Sequence, residues 1–167
     1  MNVDFGRIYD EYYSKIYNYV YYRLLNRENA EDVVSDVFFK ALNNIGRFDG
    51  KNASVSTWLF KIASNSVNDY FRKNKRAAFT PLEQIKIAED FTVLDDMIDE
   101  ENLRSLHKAL QGLDERSRTV VALRYWGELS YAQIAEQTGL SEKNVSVILS
   151  RALVKLKNLF EKAEILV

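Results

Sequence analysis

Between Ser130 and Ala152 the chain reads SYAQIAEQTGLSEKNVSVILSRA, an order that few folds accept. Ser130 and Gln133 have the Ser-x-x-Gln spacing of a capping box, which starts a helix by satisfying two backbone N–H groups reciprocally. Ile134 and Ala135 supply that helix with a buried side. Gly139 suits the left-handed residue that closes a helix, and Leu140 follows as an apolar plug. Ser141 then caps a second helix. Val145, Ile148, Leu149, Ala152, Leu153, Leu156 and Phe160 recur there at three-and-four spacing and form one apolar face. Lys143, Asn144, Ser146, Ser150, Arg151 and Lys155 occupy the other. Two short helices across a tight turn form the device that inserts a helix into the major groove of DNA, the first crossing the backbone and the second reading base edges. A helical hairpin buried in an ordinary core shares part of this pattern. Agreement of both caps, the turn glycine and the turn length favours the helix-turn-helix.

The remainder is also written for helices. One proline and six glycines in 167 residues leave little material for a sheet protein with many turns. Phe5, Ile8, Tyr9, Tyr12, Ile16, Tyr19, Val20 and Leu24 form one face of a first helix. Seven of the ten tyrosines fall in this segment, and they read as core residues with phenol tips at the surface. A second helix is expected from an N-cap at Asn29 to a stop at Gly46, burying Ala30, Val33, Val34, Val37, Phe38, Ala41, Leu42 and Ile45. After the loop RFDGKNASVS, a third runs from near Ser56 to about Arg76 over Leu59, Ile62, Ala63, Ser66 and Tyr70. Trp58 reads as a packing residue, with a DNA wedge as the alternative. Order is lost around Pro81 and returns with Leu103, Leu106, Leu110 and Leu113. Gly112 ends that helix, and Arg116 to Tyr125 forms the next. The expected fold is therefore all-α: two small helical domains, 1–76 and 101–167, joined by a linker over 77–100, the second carrying the helix-turn-helix.

Charge is distributed to match. Residues 57–76 carry five basic side chains and one acidic, and residues 141–162 carry five and two. Residues 83–101 carry eight acidic side chains and one basic. The net charge of −1 hides two cationic helices around an anionic segment, and local fields are what steer a polyanion. The acidic linker reads either as a tether kept open by its own charge or as a strand for a basic channel. Cysteine is absent, which removes disulfides and thiolate metal sites and suits a reducing compartment. No apolar run approaches the roughly 20 residues that span a bilayer, and MNVDFGRIYDEYY lacks the order of a signal peptide. These features point to a cytoplasmic protein without membrane insertion.

Catalytic constellations are hard to find. His107, the single histidine, sits in a Leu-rich helical pattern without cysteine partners and reads as a packing or surface residue. Neighbouring acids such as Asp95 and Asp96 lie in the linker without an apolar pocket to tune them. No Gly-rich phosphate loop occurs. A non-enzymatic protein with no cofactor and no metal is expected.

Three segments carry a family resemblance: AEDVVSDVFFKAL, STWLFKIASNSVNDYFRKNKR and LDERSRTVVALRYWGELSYAQIAEQTGLSEKNVSVILSRAL. In order and spacing they resemble the bacterial sigma-70 family, and the short total length resembles its extracytoplasmic-function group, which keeps only two domains. The resemblance implies a sigma factor that binds RNA polymerase core, recognises promoter −35 and −10 elements and helps melt the duplex. Its implied partners are the clamp helices of the largest polymerase subunit, the polymerase flap, promoter DNA and, as often in the family, an anti-sigma factor. A monomer when free is expected.

The resemblance can be laid onto individual residues. Asp32, Ser35, Asp36 and Phe39 share the stripe of the second helix opposite its buried face. With Lys40 they are the implied contact to polymerase core, although the family usually has Gln where Ser35 stands. Lys61, Asn65, Asn68, Asp69, Arg72 and Arg76 recur along one face of the third helix, where amides and acids suit base edges and cations suit phosphates. With Lys73 in the basic end RKNKR, and with Ser54, Val55, Ser56 and Thr57 before and at the helix start, they are the implied −10 interface, in which an unstacked base enters a pocket. Lys143, Asn144, Ser146, Val147 and Ser150 face the −35 element, Arg151 a phosphate, and Arg116, Arg118 and Arg124 the flanking backbone. Many family members are basic where this chain has Ser146 or Ile148, so the reading face is thin in charge. Two rivals stay open. One is an operator-binding regulator, which predicts a homodimer on a palindrome. The other is a sigma-like interaction protein without promoter choice.

Overall fold

The computed structural model describes residues 3–74 and 100–165. These residues form seven α-helices and one 3-10 turn, with no strand among them: α1 (Phe5–Leu24), α2 (Arg27–Asn44), the turn Ile45–Arg47, α3 (Val55–Lys73), α4 (Glu100–Gln111), α5 (Glu115–Tyr125), α6 (Tyr131–Thr138) and α7 (Glu142–Ile165). The chain divides into two compact units, residues 1–86 and 87–167. Most of the expected linker, including Pro81 and Asp95 to Asp99, lies outside the described residues, as does Arg76.

In the first unit α1, α2 and α3 all pack on one another. Ile16, Tyr19 and Val20 of α1 meet Val34, Val37 and Ala41 of α2 and Leu59, Phe60, Ala63 and Val67 of α3, every one of them buried. Four of the α1 tyrosines go deeper than half-burial: Tyr17, Tyr19, Tyr21 and Tyr22 are buried; Tyr12 and Tyr13 are half-buried, and Tyr9, expected on the buried face, is 42% exposed near the start of the helix. Burial drives the Tyr21 phenol up to about 12 and raises Tyr22 further. Tyr19 and Phe60 meet edge to face at 5.5 Å. Buried Arg23 donates to the Tyr19 hydroxyl at 3.0 Å, and its guanidinium lies over the Tyr19 and Phe71 rings at 5.8 and 5.7 Å.

The connection between α1 and α2 is shorter than expected. Leu25 takes a left-handed conformation (φ 55°) as C-cap of α1, and Asn26, not Asn29, is the N-cap of α2. The Asn26 side chain accepts from the Asn29 N–H at 2.9 Å, so both asparagines belong to one capping motif with their roles exchanged. At its far end α2 stops at Asn44 and tightens into the 3-10 turn, which contains Gly46. Leu42 corrects the expected buried face: it is 50% exposed, on the side of α2 that no neighbour covers, while Ile45 is half-buried. Helix α3 begins at Val55 on a Ser54 cap, earlier than the expected Ser56.

The second unit is built on α7, against which α4, α5 and α6 all rest. Val145, Leu149 and Ala152 of α7 are buried with Ala109, Leu110, Leu113, Val120, Leu123, Leu129 and Ile134. Ile148, Leu156 and Phe160 are half-buried, and Leu153 is exposed, which narrows the expected apolar face. His107 is buried in α4. The capping box at Ser130 and Gln133 forms in full, and Gly139 closes α6 at φ 74°. Asp114 caps α5 one residue earlier than expected, accepting from Ser117 N–H at 2.8 Å. Hydrogen bonding from the Ser117 hydroxyl first, and from its N–H second, holds the Asp114 carboxyl below the usual carboxylate range. Gly127 fits where it does because a Cβ there would lie 2.6 Å from the Leu123 carbonyl oxygen.

Candidate nucleic-acid interface

Three helix faces hold the expected functional residues, and each can be followed from its cap. On α2, burial of Val33, Val34, Val37, Phe38 and Ala41 turns Asp32, Ser35, Asp36 and Phe39 outward. Phe39, expected on this exposed stripe, is 65% exposed, and Leu42, one turn further and expected in the core, is 50% exposed and extends the apolar patch. Lys40 is half-buried and pairs with Asp36 at 2.6 Å. It also donates to the Ser66 hydroxyl of α3 at 3.1 Å, and Ser66 in turn donates to Asp36 at 3.1 Å. Asp36 and Lys40 are thus one hydrogen-bonded group anchored on the neighbouring helix. Nothing in the sequence spacing announces the third member.

On α3 the buried side is Leu59, Phe60, Ala63, Ser64, Ser66 and Val67. Lys61, Asn65, Asn68, Arg72 and Lys73 are exposed, with Asp69 half-buried beside them. Asp69 and Arg72 form an ion pair, which compensates the only acid on a face otherwise suited to phosphate. Asn68 is not wholly free to read bases: its amide oxygen accepts from buried Arg23 at 3.3 Å. Arginine has only donors, so this contact fixes the amide with its oxygen inward. Ser54 accepts from the Thr57 N–H at 3.1 Å and donates to the Thr57 hydroxyl at 3.1 Å. Both hydroxyls therefore serve first to start the helix. Val55, Ser56 and Thr57 are half-buried.

The loop before α3 contributes more than the four residues named from sequence. Asn44, Arg47, Phe48, Asp49, Asn52 and Trp58 help to line a cavity of about 360 Å³. Phe48 and Trp58, both in its lining, pack obliquely on each other, ring centroids 4.9 Å apart and planes at 33°. Trp58 is half-buried, so it packs in the loop and still presents an edge to the cavity. Aromatic faces among amides, an acid and an arginine form a composition that can hold an unstacked planar group. Only the pairing of RF with TW in the sequence could have hinted at it.

On α7 the Ser141 hydroxyl accepts from the Asn144 N–H at 3.1 Å and sets the first turn. Lys143, Asn144, Val147, Ser150 and Arg151 are exposed, and Ser146 is half-buried. Arg116 is exposed at the first turn of α5. Arg118 departs from expectation. Its guanidinium donates to the carbonyl oxygens of Leu110 at 3.0 Å, Leu113 at 3.0 Å and Gln111 at 3.5 Å, closing the C-terminal end of α4. The orphan carbonyls of a helix end are a better use of a half-buried cation than a distant phosphate, so Arg118 is a fold residue. Arg124 is intermediate in role: it donates to the Leu129 carbonyl at 2.9 Å and covers the Tyr131 ring at 5.1 Å while staying exposed. Among the described residues, no group of three or more His, Cys, Asp or Glu side chains could hold a metal ion. No helix there is long and apolar enough to cross a membrane.

This arrangement has known counterparts. Residues 8–77 match the family description "Sigma-70 region 2", and residues 103–156 match "Sigma-70, region 4". The chain is 33% identical over 162 residues to RNA polymerase sigma factor YlaC of Bacillus subtilis, an alignment covering 93% of this chain and 91% of that protein. It is 32% identical over 157 residues to ECF RNA polymerase sigma factor BldN of Streptomyces coelicolor, covering 93% of this chain and 60% of that one. Its fold is similar to that of the sigma factor RpoE solved with the anti-sigma factor NepR from Bartonella quintana, with a TM-score of 0.77, 22% identity, and coverage of 95% and 97%.

Proposed function

This chain belongs to the extracytoplasmic-function group of the sigma-70 family, factors that bind RNA polymerase core and direct promoter-specific initiation, and we propose that it does so through the three faces just described. The observation that carries the assignment is common to all three helices: the polar stripe lies on the side turned away from its own unit's core, and on α2 and α7 large apolar side chains such as Phe39 and Val147 are left exposed beside it.

In this reading Asp32, Ser35, Asp36, Phe39 and Lys40, now joined by Leu42, dock on the clamp helices of the largest polymerase subunit. Lys61, Asn65, Asn68, Arg72 and Lys73 follow the −10 strand. The loop cavity beside Phe48 and Trp58, together with Ser54 to Thr57, accepts a base released by melting. Lys143, Asn144, Ser146, Val147 and Ser150 read the −35 element in the major groove, and Arg151, Arg116 and Arg124 neutralise phosphate. The family's members are not enzymes. Work at the bacterial chromosome makes the cytoplasm the site of action, and an anti-sigma factor that covers both units is a partner in the proposal. The domain boundaries 1–76 and 101–167, the second unit's contact with the polymerase flap, and a monomeric free state belong to it as well.

The test is run-off transcription with purified core enzyme on genomic DNA fragments, with start sites mapped. Discrete starts that require this chain are expected, and their absence overturns the reading. Permanganate footprinting refines it: an Asn65→Ala, Arg72→Ala double variant that still opened the start site fully would remove the α3 face from the proposal.

A further inference from the structure

Ser66 is buried at 3% exposure on α3, yet both of its polar partners belong to α2. Its hydroxyl accepts from Lys40 Nζ and donates to Asp36 Oδ2, and the Lys40–Asp36 contact closes the triangle. The three groups satisfy one another in a definite sense. Lysine has only donors, an ionised carboxylate only acceptors, and the hydroxyl one donor with two acceptor lone pairs. Reversing any one bond is chemically excluded, so the triangle has a single polarity.

Asp36 and Lys40 are each a little under half exposed in their side chains. An exposed i,i+4 pair on its own is loose, because two long side chains must surrender rotamer freedom to meet. A buried third member fixed in a helix–helix contact changes that. It gives the carboxylate a preferred rotamer and turns Oδ2 inward.

We infer that Ser66 is a positioning residue for the polymerase contact: from the helix that faces DNA, it pre-orders the Asp36 carboxylate on the helix that faces polymerase core. This rests on the α2 assignment proposed above. When core docks, a carboxylate already held in its bound rotamer costs less to immobilise than one that must be ordered at that moment. The same bond makes α3 and α2 mechanically continuous at the step where the −10 face and the core-binding face must act together.

A double-variant cycle on core affinity tests this. The proteins are the full chain, Ser66→Ala, Asp36→Asn and the pair, each titrated against purified core polymerase, with folding checked by circular dichroism and melting. Ser66→Ala is expected to weaken core binding roughly three- to tenfold, the range for one side chain left to be ordered on binding. In the Asp36→Asn background the same change should cost clearly less, because the amide oxygen still accepts from Ser66 but the bond to it is no longer charge-assisted. Ser66→Cys, close in volume but a much weaker donor, should behave like Ser66→Ala. A generally structural serine would lower affinity equally in both backgrounds. Equal loss in both, or no loss in the parent, overturns the positioning role. If Asp36→Asn alone binds core as tightly as the parent, it is the α2 assignment itself that fails.

Discussion

Replacing Arg118 with methionine separates two roles that a basic residue in this unit can have. The bonds of the side chain include two good ones, to Leu110 and Leu113, and one to Gln111 at the limit of hydrogen-bond distance. Bonds involving a charged group contribute about 1.5–3 kcal/mol each when buried. Arg118 is half-buried, so water replaces part of what is lost, and methionine keeps much of the apolar stem. The expected cost is about 2–3 kcal/mol. For a domain of this size each kcal/mol lowers Tm by about 4–8 °C, so the second unit should melt roughly 8–24 °C earlier. Trp126 follows α5 in that unit, and a Trp58→Phe background makes its fluorescence the only tryptophan signal. The companion measurement is the salt dependence of holoenzyme binding to a promoter fragment. A lost phosphate contact flattens the log–log slope by about 0.9, whereas a fold residue leaves it unchanged below the melting range. A variant with parental melting and a flatter slope would refute the reasoning and return Arg118 to the DNA backbone.

Other expectations concern single positions. Gly127→Ala should destabilise the second unit by about 2 kcal/mol or more, because its Cβ meets the Leu123 backbone carbonyl at 2.6 Å; at Gly112 the closest atom is the flexible end of Leu159 at 2.6 Å and the backbone approaches only to 3.3 Å, at the Ala109 carbonyl oxygen, so Gly112→Ala should cost less by the same melting assay. Glu128 holds φ 55°, so Glu128→Gly should raise Tm by a few degrees as about 1 kcal/mol of left-handed strain is relieved, and a fall in Tm would contradict it. Asp114→Ala should cost about 1 kcal/mol of cap energy at neutral pH. Since the Asp114 pKa is lowered in the folded state, its contribution is present above the unfolded value of 3.8 and disappears as pH falls through the folded one, so parent and variant should converge in acid melts. Tyr21 and Tyr22 should ionise later than the exposed tyrosines in an alkaline absorbance titration, with stability falling as pH rises through their raised values.

What could be read in advance follows the range of the forces involved. The helix-turn-helix was legible because capping boxes and left-handed glycines act within four residues, and Ser130, Gln133 and Gly139 do as their spacing requires. The Asn26 and Asn29 exchange is the characteristic error of the same method, since either asparagine can cap and only the αL turn at Leu25 decides. Leu42 and Leu153 were misplaced because periodicity finds the centre of an apolar face and not its edge. Arg118, Ser66, Arg23 with Asn68, and the cavity beside Phe48 were invisible, since each depends on a partner from another helix or loop. The faces assigned to polymerase and promoter were legible as stripes. Which of their members are already engaged inside the protein was not.

Helix α7 is 24 residues long, about 36 Å, and it is the beam on which α4, α5 and α6 are all hung. The residues proposed to read the −35 element therefore cannot be tilted without dismantling the unit that carries them. Under the proposed reading, a new promoter preference would arise by exchanging side chains along the outer edge of this rod, at Lys143, Asn144, Val147 or Ser150, and not by re-angling it. For an engineer the same rigidity is an asset: those positions can be rewritten as a code while the rod, its caps and its apolar underside are left as they stand.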